Sequence, residues 1–450
     1  MHTQLSTIFA PASLIGESSV SVIRISGKDS FEIISSIFTV NRNKLEPVNI
    51  SSISANTVHH GYIFSGDEII DEVVCSFFKA PHSFTGEDVV EVSTHGGYYV
   101  YRSVSRLLAE KGCEPAEPGE FSKRAFLNGK MDLAQAEAIS DLIRAKTELA
   151  SKAAIKQLSG YLSNYVKELR TELINYCSLV ELELDFAEEG LDVIPNDTLL
   201  KGIDKITQNI DNLAKSYNTG RIIKDGVNLA IIGKPNVGKS SIFNYLLQTN
   251  RAIVSHIPGT TRDYIEELLI LGGVVFNLID TAGIRETDNI VEKEGVRRSY
   301  EKINEADIVL EVLDLSDDGN INKDNAVSNG RLIVRNKLDL VKYKPDGLAV
   351  SAVTGENMQK LQEELVRRAN ELVAKNENTE LVITNERHKS LLLKSCEYLV
   401  NARKLVLSDS GNELISIEIR EAMNALEEII GKTTNVDILN NIFSKFCIGK

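Results

Sequence analysis

Gly233-Lys-Pro-Asn-Val-Gly-Lys-Ser240 has the spacing G-x-x-x-x-G-K-[ST]. Such a turn aims backbone N–H groups at an anion, lets its lysine reach β- and γ-phosphates, and offers a hydroxyl to Mg²⁺. The phosphate-binding candidates are therefore Asn236, Val237, Gly238, Lys239, Ser240 and Ser241, with Ser240 on the metal. Asp280 follows an apolar run at 274–279 and opens Asp280-Thr-Ala-Gly283. An aspartate at the carboxyl end of a strand can hold Mg²⁺ through water. Asn336-Lys-Leu-Asp339 follows another apolar run. Its carboxylate, Asp339, can accept from the ring N–H and the exocyclic amine of guanine, and adenine offers neither there. Ser351 and Ala352 would complete the base pocket, and Gly259-Thr-Thr-Arg262 stands where a switch loop belongs, with Thr261 as the Mg²⁺ and γ-phosphate sensor. Four motifs in this order read as a GTPase.

These groups need a parallel sheet to carry them. The run at 227–232 reads as a buried strand and 241–247 as the start of an amphipathic helix. From about 225 to 374, strands and helices alternate as in a Ras-like α/β domain. One feature departs from Ras. The position that holds a water-orienting Gln there is Ile284, so Arg285, Glu286 or Glu292 must hold the water. Positive charge at the β–γ bridge must come from Arg285, Arg262, a partner or a bound cation.

Around this domain the pattern changes. Residues 1–118 mix short β-type runs (21–26, 58–64, 89–92) with helical stretches at 30–38 and 99–111, as an α+β domain does. His95-Gly-Gly97 there could approach a ligand or make a tight turn. Residues 119–220 are helical, and helices return over 376–450. The economical arrangement is an all-α helical domain into which the GTPase domain, 221–375, is inserted. The acidic cluster Glu181-Leu-Glu-Leu-Asp-Phe-Ala-Glu-Glu189 could bind metal or form a solvated face.

The chain has 450 residues, 42% hydrophobic and 25% charged, with net charge −14. This suits a multidomain globular protein and argues against a broad basic face for nucleic acid. No apolar run is long enough to span a bilayer. Cysteines at 75, 113, 177, 396 and 447 show no metal spacing, so reduced thiols in a cytoplasm are expected, without a membrane.

The chain resembles the MnmE (TrmE) family of tRNA modification GTPases over its full length. The resemblance rests on Asn236 in the P-loop, Gly259-Thr-Thr-Arg-Asp263, Asp280-Thr-Ala-Gly-Ile-Arg-Glu286, Ser83-Phe-Thr-Gly-Glu-Asp88, Pro118-Gly-Glu-Phe-Ser122, Arg124-Ala-Phe-Leu-Asn128 and Phe446-Cys-Ile-Gly-Lys450. It implies a nucleotide site that also takes in Ser255, His256, Ile257, Pro258, Gly259, Thr260, Thr261, Asp280, Thr281, Ala282, Gly283, Asn336, Lys337, Asp339, Ser351 and Ala352. It implies K⁺ where an arginine finger would sit, held by Asn236, Ser255, Ile257 and Thr260, with Glu292 as the acid that positions water and Arg285 beside it.

The resemblance further implies a homodimer joined through N-terminal domains. A tetrahydrofolate one-carbon derivative would bind at Arg24, Glu91, Lys130 and Lys450, with a functional cysteine, Cys447. Cys447-Ile-Gly-Lys450 is a poor lipidation box, since Gly449 is not aliphatic and Lys450 is an unusual terminus. The implied activity joins GTP hydrolysis to installing an aminomethyl-type group (carboxymethylaminomethyl) at C5 of the wobble uridine, position 34, of certain tRNAs. A flavoprotein of the MnmG (GidA) type would supply FAD and use NADH. Two other classes share parts of this pattern. A ribosome-assembly GTPase would carry a basic RNA-binding domain, and a dynamin-type GTPase a lipid-facing tip; neither feature is present in the sequence.

Overall fold

Alternating apolar residues shape the first sheet. Strands β1 (Ile8–Pro11), β2 (Val20–Ser26), β3 (Phe38–Thr39), β4 (Thr57–Ser65), β5 (Glu68–Phe78), β6 (Val89–His95) and β7 (Glu114–Pro115) form a sheet of order β3-β4-β5-β6-β2-β1-β7. The β2 and β6 strands bury every second residue, the pleat's period of two. Helices α1 (Ser30–Ser35) and α2 (Tyr98–Glu110) bring Ile33, Ile34, Val104, Leu107 and Leu108 against Ile23, Ile25, Val90 and Val92. The expected helix at 30–38 stops at Ser35. Phe38 and Thr39 pair instead with Ile63 and Tyr62, because the run Ile37-Phe-Thr-Val40 suits a pleated edge better than a helix.

This computed structural model describes the chain except for residues 1–5, 50–53, 55, 186–192, 251–265, 281–305, 317–330, 344, 375–380 and 409, and gives backbone alone at 249, 250, 266 and 280. The chain forms two compact units. One comprises Met1–Ile143, Gln157–Asn175 and Met423–Lys450, and the other Arg144–Lys156 and Tyr176–Ala422. In the first, α3 (Glu120–Leu127) buries Phe121 against Ile8 and Ala10. The start of α4 (Leu133–Arg144) packs Leu133 and Ala136 on residues from the far end of the chain, Leu439, Phe443 and Phe446. Helices α5 (Glu148–Leu158) and α6 (Tyr161–Asp185) follow in sequence, each divided between the two units.

In the second unit, α7 (Asn196–Lys215) and α8 (Tyr217–Asp225) lead into strands β8 (Val227–Ile232), β9 (Glu266–Leu271), β10 (Val274–Asp280), β11 (Ile308–Asp314) and β12 (Arg331–Asn336). Their order is β12-β11-β8-β10-β9, parallel except for β9. The β9–β10 turn uses Gly272 and Gly273 at φ +53° and +80°, a backbone that twists with the strands at little cost for glycine. Helices α9 (Lys239–Asn250) and α10 (Met358–Ala374) supply Ile242, Leu246, Met358, Leu361 and Leu365 to the sheet's core. The chain then continues as α11 (Glu386–Leu407) and α12 (Asn412–Ile429), and ends with α13 (Val436–Ser444), which belongs to the first unit. Helix α11 packs along α7, so elements on either side of the α/β domain meet, and that domain is an insertion into a helical one.

The acidic cluster has structural partners where it is described. Glu181 accepts from Arg420 at 2.6 Å, and Glu183 accepts from Ile194 N at 2.7 Å and from Asn412 Nδ2 at 2.8 Å. Among the described residues no group of His, Cys, Asp or Glu could hold a metal, and no helix is long and apolar enough to cross a membrane.

Candidate functional site

The P-loop connects β8 to α9, and its two glycines have different neighbours. A Cβ on Gly233 would lie 2.4 Å from Val312 O, and one on Gly238 (φ +93°) would lie 2.1 Å from Asn336 Nδ2. Asn236 adopts φ +63°, in the left-handed region that asparagine tolerates better than most residues. Lys239 Nζ donates to Gly233 O at 2.8 Å and Lys234 O at 2.9 Å, which curls the loop around its own lysine. Ser240 lies in the first turn of α9, where free N–H groups and the helix dipole favour an anion and its metal.

The candidate base-reading motif is wired directly to this loop. Buried Asn336 donates from Nδ2 to Val237 O at 2.9 Å, and its Oδ1 accepts from Ala352 N at 3.2 Å. Ser351, fully buried, donates from Oγ to Asp339 Oδ1 at 2.6 Å while accepting from Thr354 N at 3.1 Å. Five of the sequence candidates (Val237, Asn336, Asp339, Ser351, Ala352) therefore share one hydrogen-bonded frame at the carboxyl ends of β8 and β12, where α/β sheets bind ligands. Asp280 ends β10 in register with Ile231. Ser255, His256, Ile257, Pro258, Gly259, Thr260, Thr261, Thr281, Ala282, Gly283, Arg285 and Glu292 lie outside the described residues.

One residue of this site escaped sequence reasoning. Asp314 ends β11 directly opposite Asn336, and its Oδ2 accepts from Lys337 Nζ at 2.5 Å. Burial pulls its carboxyl upward, but bonds from Lys337 and from Ser316 outweigh that and hold it below the ordinary aspartate value. Its signal was readable: an aspartate closing an apolar strand, the same cue that marked Asp280.

The first unit gathers a second constellation. Arg24 on β2 stands opposite Glu91 on β6, and Arg24 Nε donates to Glu91 Oε1 at 2.8 Å. The guanidinium lies over Phe84, 5.0 Å from the ring centre, and 5.7 Å from that of Phe121. It also donates to Gly449 O at 3.4 Å. The C-terminal segment is thus docked by buried Phe446 and Gly449, which leaves Cys447 exposed between them. Lys130 Nζ donates to Pro81 O at 2.8 Å, on the stretch that leads to Phe84. Arg24, Glu91 and the terminal residues are brought together, with Lys130 at the adjoining loop. The donor set of cation, carboxylate and aromatic rings suits an anionic heteroaromatic ligand. Burial pushes the Cys113 thiol up to about 12 and the Cys177 and Cys396 thiols up to about 11, and raises Cys75 too, so these four are held as inert thiols.

Beneath this constellation lies Arg124, 2% exposed, which donates to Glu120 Oε1 at 2.7 Å, Glu87 Oε2 at 3.2 Å and Ser6 O at 2.8 Å. Glu87 also accepts from Ser26 Oγ at 2.7 Å, and Asn128 Nδ2 donates to Thr85 O at 2.8 Å, so this cluster fixes the loop carrying Phe84. Arg124→Met would leave two largely buried carboxylates without their cation. The expected cost is about 3 kcal/mol, read as an earlier transition in thermal denaturation of the full chain. An unshifted transition would show the cluster to be energetically neutral.

His95 is tied into the fold, with Nδ1 2.7 Å from Asp71 Oδ1, and a Cβ on the neighbouring Gly96 would lie 2.0 Å from Ser18 O.

Comparison with known proteins covers the whole chain. Residues 7–130 match the family model described as GTP-binding protein TrmE N-terminus, and residues 133–447 match the MnmE helical domain model. Curated relatives named tRNA modification GTPase MnmE include one from Christiangramia forsetii, 39% identical with 99% of each chain covered. Another, from Aquifex aeolicus, is 41% identical over 98% of this chain and 99% of its own. A third, from Chlorobium phaeobacteroides, is 42% identical over 99% and 98%.

Proposed function

The chain belongs to the MnmE (TrmE) family of tRNA modification GTPases, and we propose that it couples GTP hydrolysis to placing an aminomethyl-type group at C5 of the wobble uridine of certain tRNAs. In this reading residues 1–118 bind a reduced folate and form the homodimer. Residues 119–220 and 376–450 make the helical domain, and 221–375 the inserted GTPase domain. A flavoprotein partner of the MnmG type supplies FAD and uses NADH, and the work takes place in the cytoplasm.

The residues divide the labour as their chemistry requires. P-loop amides and Lys239 hold the phosphates, while Asp339, braced by Ser351, reads the guanine edge. Ser240 and Thr261 would hold Mg²⁺, and Asn236, Ser255, Ile257 and Thr260 would hold K⁺; both cations would offset charge on the phosphates. With Ile284 unable to orient water, Glu292 takes that role and Arg285 supports it. Arg24, Glu91, Lys130 and Lys450 hold the folate near the exposed Cys447.

The observation that carries this proposal is the wiring of the P-loop to the Asn336–Asp339 loop through Asn336, in a chain whose Arg24, paired with Glu91, also bonds the C-terminal Gly449. A nucleoside profile of bulk tRNA from cells lacking the gene tests it. C5-aminomethyl uridines should disappear, returning with the wild-type gene but not with Cys447→Ser. An unchanged profile accompanied by defective ribosomal subunits would favour a ribosome-assembly GTPase instead.

A further inference from the structure

Lys337 is the member of the Asn336–Asp339 motif whose side chain is anchored on the neighbouring strand β11. It sits in the left-handed region at φ +68°, just past the end of β12, and opens the short 3₁₀ turn Leu338–Leu340. Its ammonium reaches Asp314 Oδ2 at 2.5 Å, on the neighbouring strand. Asp314 and Asn336 are register partners, and Leu315 N donates to Asn336 O at 3.0 Å, so the two strand ends are locked side by side. The aliphatic stem of Lys337 must therefore run back across the carboxyl edge of the sheet, the crevice in which a base lies. The Asp314 carboxylate is itself aimed: Oδ1 accepts from Ser316 N at 2.9 Å and from Ser316 Oγ at 2.6 Å, which presents Oδ2 to the lysine.

We propose that Asp314, oriented by Ser316, is a positioning residue for guanine-nucleotide binding: it pins Lys337 so that the lysine stem forms a preset apolar wall for the face of the base. A lysine carries many rotamers, and an unpinned stem would have to be ordered at the moment of binding, at the expense of affinity. The wall contacts the face of the base and not its hydrogen-bonding edge, so its contribution is separate from that of Asp339. The inference rests on the guanine-site reading given above and adds the residue that shapes the pocket.

The test is a double-mutant cycle on the full-length protein, with GDP dissociation constants from fluorescence titration. Asp314→Asn preserves shape and removes the charge, and should weaken GDP by about tenfold, the size of one charge-assisted contact. Lys337→Met should weaken it by at least as much. The double variant should be no weaker than Lys337→Met alone, since Asp314 acts through the lysine, and Asp314→Asn should keep the wild-type preference for GDP over xanthosine diphosphate; a purely structural role would disturb the Asp339 edge as well and relax that preference. Ser316→Ala, a milder change that keeps the ion pair, should weaken GDP by about threefold. Wild-type affinity in Asp314→Asn beside a weakened Lys337→Met, multiplicative losses, or a relaxed preference would overturn the proposal. If Lys337→Met and Asp339→Asn both bound GDP as the wild type does, the guanine-site reading itself would fall, and the role of Asp314 with it.

Discussion

Asp339→Asn is expected to exchange the base on which this enzyme works. In the wild type Ser351 Oγ, itself accepting from Thr354 N, must point its hydrogen at Asp339 Oδ1. In the proposed site that fixes the carboxylate so that its remaining lone pairs would accept from the guanine ring N–H and exocyclic amine. An asparagine there would keep its oxygen on Ser351 and the ring N–H as an uncharged acceptor, and would turn its amide N–H groups to the exocyclic amine, donor against donor. Losing two charge-assisted hydrogen bonds of about 2 kcal/mol each amounts to a fall in GTP affinity on the order of 10³-fold. Xanthosine triphosphate, which presents an oxygen in place of the amine, should recover most of it. Parallel hydrolysis assays with the two nucleotides read the outcome directly. Retained preference for GTP would show that another residue reads the base edge.

If the proposed folate site is right, Gly449→Ala should separate it from nucleotide binding. A Cβ at that position would lie 1.9 Å from Pro11 O and 2.9 Å from Pro11 C, in a backbone at φ +90° that side chains avoid. Both obstacles are main chain, so no rotamer change relieves them, and the terminal segment must lift from its seat. The contact from Arg24 to Gly449 O goes with it, and Cys447 and Lys450 lose their fixed positions. Affinity for a reduced folate should fall by a factor on the order of 10², the equivalent of about 3 kcal/mol of lost charged contacts, and tRNA modification should fail. GTP binding belongs to residues of the other compact unit and should be retained. Gly411→Ala is the control, because a Cβ there meets no atom within 4 Å. Calorimetric titration of both variants with folate and with GDP gives the comparison; full folate affinity in Gly449→Ala would remove the C-terminus from the site.

The candidate nucleotide site could be proposed from the sequence because its chemistry is local. A strand, a Gly-rich turn and a helix N-terminus follow one another within a few residues, and each leaves a mark in apolar period and glycine placement. Asn336, Asp339 and Ser351 were singled out in the same way, each just beyond an apolar strand. The insertion of the α/β domain was legible too, as a change of period and its reversal. Other features were not. Arg24 and Glu91 are 67 residues apart, and Arg24 and Gly449 are 425 apart. Only the pairing of β2 with β6 and the docking of Phe446 bring them together. Arg124, which could have been a surface arginine on any amphipathic helix, is the buried centre of an ion cluster. Likewise, whether Lys337 reached solvent or Asp314 depended on which strand became the neighbour of β12. Sequence period reports which face of an element is apolar, whereas the partner of a charged side chain is decided by long-range strand and helix pairing, which local spacing does not encode.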